Sequence, residues 1–221
     1  MEKIKIYFYG GGREVGGSCI GVKYPDGTLI LLDAGVKLVS NMPVQLPVIK
    51  NTENVNAVMI SHPHIDHFGG LVSLVREGLN CPIIVGHDLT RQVCKILFSD
   101  MCSLEKRQMN KINEQPRFVM GNAYFALSLM EKSLYGKIGR VSYRFIKTSH
   151  IPGGYSILLE YPEAKTILYS GDVRVSKTQL MREKKDFPKA DVLFTDCTYA
   201  GDTHPDRGDT EKEFERIILR T

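Results

Sequence analysis

The sequence predicts an α/β layered fold. Short apolar segments with strand periodicity fill the first sixty residues and return from residue 141 onward, and amphipathic helical periodicity lies between them. A composition of 43% hydrophobic and 24% charged residues over 221 positions supports one large domain with a packed core, or one domain plus the beginning of another.

Ile4, Ile6 and Phe8 alternate with Lys3, Lys5 and Tyr7, the period of a half-buried strand. Residues 18–24 and 28–33 flank Pro25-Asp26-Gly27, whose turn chemistry predicts a hairpin. Residues 56–61 read as a short apolar strand. Leu71, Leu74, Val75 and Leu79 then predict a helix over 68–79. Residues 81–86 read as a buried strand, and Asp88 as the cap of a helix reaching about Met101. The polar stretch 103–135 is expected to be helical in pieces with a break at Pro116. Strands are predicted at 141–148, 155–161, 165–170 and 191–195. Thr210, with Glu213 at the capping-box position, predicts a last helix over 210–220.

Composition narrows the setting. Five scattered cysteines without a CxxC pair argue against a disulfide framework or a thiolate zinc ribbon, and make a reducing cytoplasm the expectation. The opening MEKIKIYFYGGG has no signal-peptide core, and no apolar run approaches bilayer length, so no membrane partner is expected. A net charge of +4 permits a polyanionic partner without requiring one.

The chemistry concentrates in SHPHIDHFGG, residues 61–70, directly after an apolar strand. His62 and His64 are two apart, so in extended backbone both side chains point the same way and reach one ion. Asp66 and His67 lie past a bend and are placed to hold a second ion. A polar loop whose histidines only cap a helix would not need three imidazoles and a carboxylate at this spacing. Further ligand-type residues end other predicted strands: Asp33 after 29–32, His150 before Pro152-Gly153-Gly154, and Asp172 within YSGDVR. GGGREVGG (10–17) lacks the Gly-Lys-Ser/Thr of a P-loop and reads as a tight turn, and His87 reads as a capping or surface residue.

The order Asp33, His62-x-His64-x-Asp66-His67, His150, Asp172 resembles the metallo-β-lactamase superfamily. That resemblance implies a four-layer αβ/βα sandwich with its metals at one edge. It also implies a first zinc on His62, His64 and His150, a second on Asp66 and His67, Asp172 bridging both, and Asp33 orienting the metal loop from behind. GGGREVGGSCIGV (10–22), CPIIVGHDLTRQVCKILFSD (81–100), SHIPGG (149–154), YSGDVR (169–174) and DCTYAGDTHPDR (196–207) are similar to the β-CASP branch, whose members are nucleases of RNA and DNA. Asp196 stands where that branch has its first β-CASP motif.

The resemblance thus implies a zinc-dependent hydrolase, with RNA as the expected substrate and DNA as the other, cleaved by a zinc-bound hydroxide. Asp66, Asp172 and Asp196 are the expected catalytic carboxylates. The branch continues into a helical β-CASP domain bearing two further histidines, which residues 210–221 only begin. The second zinc is therefore expected to be weak, and a partner protein or second copy is the expected source of that lobe. His204 matches a histidine-proline turn of the family rather than a ligand. Arg174, Lys177, Arg182, Lys184, Lys185 and Lys189 stand against Glu183 and Asp186 directly after Asp172, a candidate track for backbone phosphates. The competing readings are a stand-alone hydrolase of small esters, thioesters or phosphodiesters, and a non-catalytic subunit of an RNA-processing complex.

Overall fold

The computed structural model describes residues 3–39, 43–162, 164–174, 181–182 and 186–220. Two mixed sheets stack face to face. The first has the order β1 (Lys5–Gly10), β2 (Cys19–Lys23), β3 (Leu29–Leu32), β4 (Ala57–Ile60), β5 (Ile83–Val85), β6 (Met130–Lys132). Its first three strands are antiparallel and β3 to β6 are parallel. The second has the order β11 (Val192–Phe194), β10 (Ile167–Tyr169), β9 (Tyr155–Glu160), β8 (Val141–Lys147), β7 (Tyr135–Ile138), and its β10–β11 pair is parallel. Helices α1 (Ile65–Phe68), α2 (Leu71–Arg76), α3 (Asp88–Lys111) and α4 (Met120–Ser128) accompany the first sheet.

Strand alternation explains the layering. Ile30, Leu32, Ala57, Met59 and Ile84 point from the first sheet toward Tyr143, Phe145, Ile157, Leu159 and Ile167 of the second. Their neighbours Leu29, Leu31, Val58, Ile60, Ile83 and Val85 point the other way, onto Phe68, Leu71, Leu74, Phe98 and Ala126 of the helices. A central sheet buried on both faces needs continuous apolar strands, which Leu29–Leu32 and Ala57–Ile60 are. The α/β sandwich predicted from sequence is the fold observed.

The expected hairpin forms, with Tyr24 N–H bonded to Thr28 O and Gly27 at φ 90°. Other boundaries differ. The helix expected over 68–79 is the shorter α2, kept apart from α1, because the Gly70 N–H donates to Ala34 O while Asp66 O accepts from Ser18 N–H. The i to i−4 bond that would join them is thus taken on both sides. His87, not Asp88, caps α3, accepting from Leu89 N–H at 3.0 Å. That helix runs ten residues beyond Met101, since Cys102, Glu105 and Met109 continue its buried stripe. Glu105 is buried inside a bidentate pair with Arg117, at 2.8 Å to both Nε and Nη2, and Arg117 Nη1 also donates to Val44 O. The segment containing Pro116 separates α3 from α4, as expected. Phe8 is 56% exposed rather than half-buried, its ring set edge-on to Phe194.

The last helix, α5 (Arg207–Ile218), starts earlier than Thr210 and is capped by Asp206, which accepts from Asp209 N–H; none of its residues is buried. Cys19, Cys81, Cys94 and Cys102 are buried and free, Cys197 exposed and free. Burial pushes the Cys81 thiol up to about 12 and the Cys102 thiol to about 11. Among the described residues no helix is long and apolar enough to cross a membrane.

The layering makes a paired prediction. Leu32→Ala, between the sheets, is expected to lower unfolding free energy in urea by about 2–5 kcal/mol, and Leu193→Ala, 58% exposed, by less than about 0.5 kcal/mol. Equal losses would contradict the packing.

Candidate metal centre

Strand ends of both sheets meet at one edge of the sandwich. β4 delivers Ser61, His62 and His64, and α1 turns Asp66 and His67 back over it. The second sheet supplies His150 after β8 and Asp172 after β10, while Tyr155 N–H donates to Ser61 O at 2.9 Å across the sheets. Two glycines allow the closeness. A Cβ on Gly35 would lie 1.6 Å from Asp66 O, and one on Gly171, at φ 56°, would lie 2.8 Å from Ser61 Cβ.

Asp33 leaves β3 with φ 60° and is fully buried. Its Oδ1 accepts from Ser61 N–H at 2.7 Å. Its Oδ2 accepts from Ser61 Oγ and His67 Nδ1 at 2.7 Å each, and from Tyr169 Oη at 2.6 Å. Ser61 Oγ, with its hydroxyl hydrogen already donated to Asp33 in a hydrogen bond, accepts from His62 Nδ1 at 3.0 Å. Both imidazoles therefore hold their Nδ1 protons against this network and turn their Nε2 atoms to the cluster.

His62, His64, His150 and Asp172 each offer a donor atom within 4.8 Å of the others. His64 Nδ1 lies 3.0 Å from His62 Nε2 and 3.3 Å from His150 Nε2. Asp172 Oδ2 lies 3.5 Å from His150 Nε2 and 3.7 Å from His62 Nε2. Donors around a tetrahedral ion with bonds of about 2.0–2.1 Å stand about 3.3–3.4 Å apart, so this set fits such an ion. The other oxygen, Asp172 Oδ1, lies 3.1 Å from His67 Nε2, which is 3.8 Å from Asp66 Oδ2. One carboxylate thus faces two donor sets.

The two sets differ electrostatically. Burial, together with the neighbouring imidazoles, holds His62 far below the usual histidine range. Burial also lowers His64 and His150, against the pull of nearby carboxylates. These rings are neutral at pH 7, the ligand form. Burial opposes charge on His67 too, but Asp33 and Asp172 outweigh it and raise its pKa to about 10. Burial works against the Asp172 carboxylate, and His67, His150 and His64 nonetheless keep its pKa below the ordinary carboxylate value.

Other expected residues gather less tightly. Asp196 follows β11 at the same edge, its N–H donating to Ser170 Oγ at 3.2 Å and its Oδ1 accepting from Thr198 N–H and Oγ1. Its charge reaches His150. Arg174, Arg182 and Lys189 are exposed, and Ser149 Oγ donates to Arg182 O beside the turn bearing His150. Lys177, Lys184 and Lys185 lie outside the described residues. His204 sits edge-on to Tyr199. Sequence reasoning passed over Tyr169, whose signal was a hydroxyl closing the apolar run Ile167-Leu168 at an inward position.

The charge states predict proton release. Zinc binding at pH 7 should release about one proton more from the native chain than from His67→Asn, read from the buffer dependence of the calorimetric heat. Equal release in both proteins would contradict a protonated His67.

Residues 28–216 match the family described as beta-lactamase superfamily domain. The chain is 35% identical over 96% of its length to the probable RNase MJ4 of Methanocaldococcus jannaschii, and 31% identical over 95% to RNase aCSPSF2 of Saccharolobus solfataricus. It is 27% identical over 99% to ribonuclease TTHA0252 of Thermus thermophilus. It covers 49%, 42% and 49% of those proteins, so the chain spans about half the length of the curated relatives it matches. With the fold, the His and Asp cluster and this match together, the chain belongs to the metallo-β-lactamase superfamily.

Proposed function

We propose that this protein is a zinc-dependent ribonuclease that hydrolyses RNA phosphodiesters at a two-ion site. The observation that supports this most is Asp172, with one oxygen toward His62 and His150 and the other toward His67. Three relatives that carry ribonuclease names support the substrate class. In this reading His62, His64 and His150 would hold one ion and Asp66 and His67 the other, with Asp172 available to both. Zinc there would lower the pKa of a bound water toward 7 and offset charge on the transferring phosphoryl group.

The protein's own groups do the rest. Asp33 holds the Nδ1 proton of His67 and, through Ser61, that of His62, so both rings keep their Nε2 atoms inward. Asp66, partly open to solvent, accepts a hydrogen bond from the attacking water and aligns it. Asp196 places negative charge near His150. Arg174 and Arg182, with Lys177, Lys184 and Lys185 by sequence, contact the RNA backbone, and unpaired cysteines suit a reducing cytoplasm.

The test is a labelled RNA incubated with the zinc-loaded protein, with a DNA of the same sequence and bis-p-nitrophenyl phosphate as alternatives. His64→Ala and Asp66→Ala should each reduce RNA cleavage more than about 100-fold, while RNA binding changes less than about threefold. Cleavage of the small diester alone would replace this reading with a hydrolase of small substrates. Cleavage that survives both substitutions would overturn the assigned site.

A further inference from the structure

The donors of the metal centre are divided between two bodies. His62, His64, Asp66 and His67 follow β4 of the first sheet, whereas His150 and Asp172 follow β8 and β10 of the second. The apolar packing between the sheets is non-directional, whereas metal bond lengths are held to about 0.2 Å. Directional bonds across the sheets must set the gap, and besides the backbone bond from Tyr155 to Ser61 a side chain supplies one.

The Tyr169 side chain meets that requirement. It is an inward residue of β10 in the second sheet, 5% exposed, and its hydroxyl donates to Asp33 Oδ2 in the first sheet at 2.6 Å. The same oxygen accepts from His67 Nδ1. Three residues beyond Tyr169 the chain reaches Asp172, whose Oδ1 lies 3.1 Å from His67 Nε2. The path from Tyr169 through Asp33 and His67 to Asp172 and back along the backbone is therefore a closed ring. The phenol is one rigid side of it. His62 reaches the ring by its hydrogen bond to Ser61 and His150 from the separate β8 turn, and both face the other oxygen of Asp172, Oδ2, at the longer distances of 3.7 and 3.5 Å.

We propose that Tyr169 is a positioning residue whose hydroxyl sets the separation of His67 and Asp172 and thereby the affinity of the Asp66, His67 and Asp172 set for its ion. The inference rests on the two-ion reading above. Tyr169→Phe is the informative substitution, because it keeps the ring that fills the core and leaves Asp33 Oδ2 with two donors. Tyr24→Phe removes a buried hydroxyl from the same inter-sheet core away from Asp33 and serves as the control.

Chelator-competed zinc titration, and the visible absorption of the cobalt(II)-loaded protein, count and distinguish the ions without any turnover. The expected result is that Tyr169→Phe binds one ion as the native protein does and the other about 10- to 100-fold more weakly. The absorption of that second cobalt should shift or vanish at equimolar loading and return at excess metal. Tyr24→Phe should match the native protein in both. Native affinity for both ions in Tyr169→Phe overturns the inference, and so does equal loss of both ions, which would mark a purely structural role. A native chain that holds only one ion sinks the two-ion reading and the inference with it, one that holds none sinks the metallohydrolase reading as well, and two native ions left unchanged by Tyr169→Phe sink the inference alone.

Discussion

The buried Asp33 carboxylate is the constraint on which the metal edge depends. A carboxylate at zero exposure is costly unless its lone pairs are occupied, and here four donors occupy them. Three of those donors lie on the loop after β4 and the fourth on the second sheet. Satisfying one charge therefore fixes the metal loop and draws the sheets together at one edge. The positive φ of Asp33 turns the chain sharply off β3, so that residues 34–36 can run along α1 and bond to it.

The sandwich supplies that edge with its strand ends. β3, β4 and β5 are parallel, so their C-terminal ends fall together, and β8 and β10 each run toward the same side. Catalytic-type residues can then sit on short turns while the aliphatic strands behind them stay fully apolar. Gly35 and Gly171 are the positions where this economy of space becomes absolute, since a methyl group at either would strike backbone or Ser61.

Much of this is legible in the sequence alone. Metal ligands need particular side chains at close spacing, and SHPHIDHFGG displays four of them in six residues. Asp33, His150 and Asp172 were visible because each stands just past the end of a predicted strand. Tyr169 was not, because its role lies in a bond to a residue 136 positions away and a tyrosine in a strand needs no explanation. The end of α3 was missed for a related reason: the stretch after Met101 is polar, yet its Glu105 is buried by pairing with Arg117, so the helix continues where an ending is expected. The split at Gly69-Gly70 depends on Ala34 and Ser18 taking the helix bonds, and no local pattern records that competition.

The distribution of thiols has a practical consequence. Four cysteines are sealed in the core, where burial suppresses the reactive thiolate, and Cys197 alone meets solvent. It is the neighbour of Asp196, on the segment leaving β11 at the metal edge. A maleimide dye or nitroxide would therefore attach at a single defined point without cysteine engineering. The unmodified chain thus carries its own reporter handle beside the residues whose motions one would most want to watch.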